Sequence, residues 1–189
     1  MKLLKMNDSA KNFKYVNYLW EESKAEALGD DQVELFLYRS NILGADLRIT
    51  NYGGGNTSCK TIEKDPLTNE EVEVMWIKGS GGDIGTLNKA GIAGLYTERL
   101  RNLKNVYGGL ADEDRMVGLF EHCIYDLESK APSIDTPLHG LLPFKHIDHL
   151  HPDALIAVAA AKDSEKVTKE IWGDTMGWVP WQRPGFDLG

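Results

Sequence analysis

The sequence predicts a single α/β domain, on three observations. Strand-like alternation at residues 59–63 and 72–77 flanks the turn-forming run Asp65-Pro-Leu-Thr-Asn-Glu70. Apolar residues at helical spacing lie on both sides of that hairpin. At 189 residues, the chain is long enough to bury one core without disulfides or metals to hold it. A hydrophobic share of 42% and a mean hydropathy of −0.36 exclude a disordered or collagen-like polymer. The longest apolar run, Ala154 to Ala161, falls well short of the roughly 20 residues that span a bilayer. The opening Met1-Lys-Leu-Leu-Lys-Met-Asn-Asp8 lacks the apolar stretch of a signal peptide. Cys59 and Cys123 form no spaced framework and fit a reducing cytoplasm. A net charge of −8 speaks against binding a phosphate backbone, so neither nucleic acid nor membrane is an expected partner.

Taken in order, residues 13–43 read as helical, with Tyr15, Leu19 and Trp20 at helical spacing and a break at Gly29-Asp-Asp31. Leu47 to Thr50 alternates like a short strand and runs into Gly53-Gly-Gly-Asn-Thr-Ser58. The hairpin follows, then a second glycine cluster, Gly79-Ser-Gly-Gly-Asp83. Leu87 to Leu103 reads as a helix, and Asp112 to Leu127 as a stronger one with Met116, Leu119, Phe120, Cys123, Ile124 and Leu127 on one face. Ala131-Pro-Ser133 breaks that helix, and a short one is expected from Pro137 to Leu142. His149 to Ala161 reads as an apolar strand with its approach, and Ser164 to Trp172 as a helix. The remaining tail, with Trp178 and Trp181, is too apolar to stay in solvent and too short to fold alone. It predicts a chain that continues past Gly189 within a larger unit.

Four of the five histidines lie between His139 and His151. In a strand, His149 and His151 project to one side about 6–7 Å apart, a spacing from which two imidazoles can converge on one metal ion. An isolated pair of this kind ahead of Pro152-Asp153 is more often a surface turn. Asp135, His139 and His146 just upstream shift the balance toward a metal site. Glycines in the two clusters would let backbone N–H groups approach an anion closely, with Lys78 beside them. Neither cluster fits the dinucleotide or P-loop fingerprint. Two such clusters, with Ala131-Pro-Ser133 before Asp135, point to a small phosphate.

These residues resemble a known family. Gly54-Gly-Asn-Thr-Ser58 looks like a G-N-x-S signature, Lys78-Gly-Ser-Gly81 like a second phosphate loop, Pro132-Ser-Ile-Asp-Thr-Pro-Leu-His139 like an S-S-(D/E)-x-P-x-H element, and His149-Leu-His151 like a zinc pair. Together they resemble the class II aldolase/adducin family. The wording is closest to the aldolase part of bifunctional rhamnulose-1-phosphate aldolase/short-chain dehydrogenase proteins. The likeness runs from about residue 30 to the end.

The resemblance implies a three-layer α/β/α fold around a mainly antiparallel sheet, in a homo-oligomer that is usually a fourfold tetramer. It implies one class II aldolase-like domain over residues 1–189. Gly55, Asn56, Ser80, Gly81 and Ser133 would hold the substrate phosphate, Asp135 would be the acid/base, and His149 and His151 would bind zinc. The implied reaction is retro-aldol cleavage of a ketose 1-phosphate such as L-rhamnulose 1-phosphate to dihydroxyacetone phosphate and lactaldehyde. A metal-dependent dehydratase or epimerase, or a non-catalytic adducin-like module, are the alternatives. No histidine follows His151, so a third zinc ligand is expected beyond Gly189 or from His139 or His146. A dehydrogenase half in a longer chain is compatible with this, but this stretch holds none of its nucleotide fingerprint.

Overall fold

The computed structural model describes Lys14 and residues 18–189. The reading of the N-terminus, including Tyr15, lies outside the described residues. The expected first helical stretch is two helices, α1 (Glu22–Leu28) and α2 (Gln32–Ala45). Gly29, at φ +63°, ends α1. The Asp31 carboxylate starts α2 by accepting the N–H groups of Val33 and Glu34, both at 3.0 Å. The strand expected at Leu47–Thr50 does not form. The Asp46 carboxylate takes the N–H and the guanidinium of Arg48, and its carbonyl takes Ile49 N–H, which folds this stretch into a turn.

Strands β1 (Asn56–Lys64) and β2 (Glu71–Lys78) form the expected hairpin, longer than read because the glycine run leads directly into β1. Its turn closes on Asp65, which accepts the N–H groups of Leu67 and Thr68 and the Tyr96 hydroxyl. The helix expected over Leu87–Leu103 is instead β3 (Ile92–Tyr96) followed by the short α3 (Thr97–Asn102). Ile92-Ala-Gly-Leu-Tyr96 alternates between two buried faces and ladders onto β2. Gly94 admits the Trp76 ring, which a Cβ there would approach to 2.7 Å. The next predicted helix is α4 (Glu113–Leu119), which tightens to a 3-10 turn over Phe120–Cys123. Leu127 lies beyond it and is 89% exposed.

Helix α5 (Thr136–Leu141) forms as expected and leads to β4 (His146–His149). The apolar strand expected to run on to Ala161 stops at His149. Pro152 cannot donate to a ladder, and its carbonyl accepts the N–H groups of Leu155 and Ile156, so the alanine-rich run becomes α6 (Asp153–Ala159). Helix α7 (Ser164–Trp172) matches its expected bounds.

The sheet has the order β3-β2-β1-β4 with antiparallel neighbours throughout. On one face Phe36 and Leu37 of α2 pack against Cys59, Leu87 and Ile92. On the other, Met75, Ile77, Ala93 and Leu95 meet Leu100, Met116, Phe120, Cys123 and Phe186. Each large side chain buried this way stabilises the fold by about 1.5–3 kcal/mol. This is the expected α/β/α arrangement. Part of the tail also docks: the buried Glu113 carboxylate accepts the Tyr107 hydroxyl and the N–H groups of Phe186 and Asp187. Trp181, by contrast, stays 85% exposed. Among the described residues no helix is long and apolar enough to cross a membrane.

Candidate metal and anion site

Three loops meet where β1 and β4 begin and end. Register pairs Asn56, the first residue of β1, with His149, the last of β4. The first glycine loop curls beneath the histidines. A Cβ on Gly54 would come within 2.8 Å of the His151 ring nitrogen Nδ1, and one on Gly55 within 2.5 Å of the His149 carbonyl oxygen. Gly55 also sits at φ +77°, where side chains are strained. These glycines therefore make room for the histidine pair. Gly53 N–H donates to the Asp83 carboxylate at 2.8 Å, which ties the first loop to the second. Ser80 N–H donates to the Ala131 carbonyl, and Gly79 bridges to Pro132, which ties the second loop to the segment before Asp135.

The imidazoles of His149 and His151 turn their Nε2 atoms toward one another at 3.0 Å, with ring centres 4.8 Å apart. Only His149 is on the strand; His151 lies two residues past its end. Burial, then the neighbouring His151 and Lys78, push the His149 pKa down against the pull of Asp135. A neutral imidazole with a lone pair is the form that ligates a metal. His149 Nδ1 is buried without a hydrogen-bond partner, 3.9 Å from the nearer Asp135 oxygen. Two convergent imidazoles fit a zinc-like ion as part of a ligand set.

His139 and His146 do not join them. The His139 ring is fully buried, its Nδ1 is 2.7 Å from the Ser58 hydroxyl, and its centre lies 6.3 Å from that of His149. His146 Nδ1 lies 2.6 Å from the Arg39 guanidinium. Among the described residues no three His, Cys, Asp or Glu side chains cluster as a metal site.

Asp135 stands just ahead of α5. Its Oδ2 accepts from Asn56 Nδ2 at 3.2 Å and from the Ser133 hydroxyl at 3.1 Å. Lys78 is buried beneath the second loop, and its ammonium donates to the carbonyls of Gly79, Gly81 and Gly82 at 3.2–3.4 Å. Burial lowers its pKa, and Asp135 then Asp83 raise it. Gly81, at φ +72°, has open space above it, and Ser80 is exposed. The fold thus links Asn56, Ser133, Asp135 and His149 directly and ties the Ser80 loop to the segment before Asp135.

Two groups escaped the sequence reading. Lys60 is buried in β1, and its ammonium donates to the carbonyls of His139, Leu142 and Phe144 at 2.7–2.9 Å. Arg39 of α2 holds β4 through Asp148 and also reaches the Ser58 carbonyl. A lysine between Cys59 and Thr61 in a buried strand was a readable signal. Arg39 sits on an ordinary helix and gave none.

A family model described as "Class II Aldolase and Adducin N-terminal domain" matches residues 37–189. The chain is 42% identical over 173 residues to "Uncharacterized oxidoreductase YuxG" of Bacillus subtilis, covering 92% of this chain and 24% of that protein. It thus spans about a quarter of the length of that curated relative. Among solved structures, the N-terminal class II aldolase domain of a conserved protein from Thermoplasma acidophilum matches with a TM-score of 0.78 and 27% identity. That match covers 92% of this chain and 77% of the other.

Proposed function

The chain belongs to the class II aldolase and adducin family, and from that premise we propose that it is a zinc-dependent aldolase domain cleaving a ketose 1-phosphate. The substrate we propose is L-rhamnulose 1-phosphate or a close analogue, yielding dihydroxyacetone phosphate and lactaldehyde. The observation that carries this reading is that Asp135 lies 3.9 Å from His149, whose imidazole converges on that of His151, and accepts from Asn56 at the end of the first of two linked glycine loops. An interaction module of the same fold has no need of that arrangement.

In this reading His149 and His151 hold the zinc, and further ligands come from outside the described residues. When bound, the ion supplies Lewis-acid stabilisation of the negative charge that develops on the substrate's oxygens. Gly55, Ser80 and Gly81 take the phosphate, with the Lys78 ammonium providing positive charge below the second loop. Asp135 moves the proton. It takes the proton of the C4 hydroxyl as the bond between C3 and C4 breaks and C4 becomes the aldehyde, then delivers that proton to C3 of the three-carbon fragment. The acidic chain binds an anion locally, which is why these donors are packed into one corner. The oxidoreductase in the relative's name belongs, in this reading, to the part of that protein that the chain does not match. A cytoplasmic homo-oligomer completes the proposal.

Metal content by plasma mass spectrometry and a triose-phosphate-coupled assay test it together. Zinc should copurify with the chain and be lost from a His149→Ala/His151→Ala variant. Asp135→Asn should keep zinc and fold yet lose roughly 10²- to 10⁴-fold in turnover. No cleavage of any ketose 1-phosphate by the metal-loaded protein would sink the aldolase reading. An epimerised or dehydrated sugar phosphate would replace it with the corresponding activity.

A further inference from the structure

His139 and His149 each keep one buried ring nitrogen that no group among the described residues serves, Nε2 of the first and Nδ1 of the second. His139 is fully buried, and a buried polar atom left unpaired costs stability. No hydrogen bond joins the two rings, whose centres are 6.3 Å apart, a gap that one water can bridge. Asp135 lies beside both. It stands one helical turn before His139, whose backbone N–H donates to the Asp135 carbonyl, and its Oδ1 is 3.9 Å from His149 Nδ1. Asn56 and Ser133 both donate to Oδ2, which leaves Oδ1 unspent.

Ser58 decides where the His139 proton sits. Its buried hydroxyl is 2.7 Å from His139 Nδ1 and has no other acceptor for its hydrogen among the described residues. The hydroxyl therefore donates, Nδ1 accepts, and the one N–H of the neutral ring is at Nε2. His149 becomes a donor too. Its Nε2 is turned to His151, and once that nitrogen is given to a metal ion the ring proton is on Nδ1. Two N–H donors and a carboxylate oxygen thus share one corner, and none bonds another. A single water satisfies all three, because its oxygen accepts from both rings while one of its hydrogens goes to the carboxylate.

We infer that His139 is a positioning residue, which holds His149 and Asp135 in place through one buried water. The proton on His149 rests on the zinc reading, while the Ser58–His139 pair does not.

The test is nuclear magnetic resonance of the histidine ring nitrogens, metal-free and zinc-loaded, with zinc affinity measured by competition against a chelator. In both forms the His139 proton should be on Nε2 and show a cross-relaxation peak with a long-lived water. His139→Phe fills the place of the ring without its nitrogens and should weaken zinc binding about tenfold to a hundredfold. His139→Gln returns an N–H near the Nε2 position and should recover most of that loss. If either variant fails to fold, the wild-type spectra still decide. A His139 proton on Nδ1 overturns the inference, as does an Nε2–H that meets no water. So does a folded His139→Phe that binds zinc as tightly as the wild type. Should the chain bind no zinc at all, the metal reading fails instead, and the proton position and water contact in the metal-free chain still decide the bridge.

Discussion

A Cβ on Gly55 would stand 2.5 Å from the carbonyl oxygen of His149, a backbone atom that cannot swing away. Gly53, two residues earlier, has nearly the same backbone, φ +72° against +77°, but nothing within 4 Å of a Cβ. The pair separates two costs that usually come mixed. Gly53→Ala meets only the strain of a left-handed residue, about 1–2 kcal/mol. Gly55→Ala meets that strain and also pushes β4 away from β1, so it should cost at least about 1 kcal/mol more. At roughly 2–4 °C per kcal/mol for a chain of this size, the Gly55 variant should melt several degrees below the Gly53 variant. It should also bind zinc less well, because the displaced backbone bears His149. Equal melting temperatures and equal zinc content would mean that this contact does not hold the histidine in place. The glycine run was legible in the sequence as a site where the chain makes a close approach. What it approaches was not legible, because a carbonyl 94 residues later leaves no mark near position 55.

At the scale of elements, the site depends on how firmly α5 is tied to β1. Three carbonyls at and beyond the end of that helix, those of His139, Leu142 and Phe144, converge on one ammonium, that of Lys60. A helix ends with carbonyls that lack intrahelical partners, and a cation there satisfies both the hydrogen bonds and the dipole. Lys60→Met keeps the stem and removes the donor, leaving three carbonyls to find water in a buried corner. The loss should be about 2–4 kcal/mol in urea unfolding. Amide exchange should quicken through α5 and the turn to β4 more than in β2 and β3. Uniform quickening, or none, would show that Lys60 does not staple this element. Elements with strong periodicity or clear punctuation were readable: α2, the β1–β2 hairpin, α5 and α7. The failures were segments whose local pattern suits two structures. Leu87–Leu103 has helical apolar spacing, yet β2 offers a ladder to Ile92–Tyr96 and the ladder wins. The alanine-rich run after Pro152 could be a buried strand or a helix, and the proline decides it by ending the ladder.

For the molecule as a whole, the architecture was legible largely through the motifs, since an ordered set of four constrains a fold more tightly than periodicity does. The chemistry of the histidines was less so, because burial depends on the finished packing. That burial gives the domain a weakness toward acid. Burial, then the neighbouring His149, push the His139 pKa down to about 3, against the opposing pull of Asp135. His146 is pushed down to about 4, by burial and then by Arg39. In the unfolded chain both titrate near 6.5, so between those limits the unfolded state binds more protons and stability rises with pH. Stability is therefore complete above about pH 6.5 and is lost as pH falls toward 4 and then 3. For His139 the linkage amounts to about 2 kcal/mol by pH 5. Depressed carboxylates such as Asp65, held at about 2 by the Thr68 N–H and the Tyr96 hydroxyl, act only at lower pH. The interval from 6.5 to 4.5 thus isolates the imidazoles. Urea midpoints of metal-free protein should fall steadily across it, and a His139→Gln/His146→Asn variant should fall less. Midpoints that stay level down to pH 4.5 would mean that these rings are protonated in the folded state at no cost, which their packing against Ser58 and Arg39 does not allow.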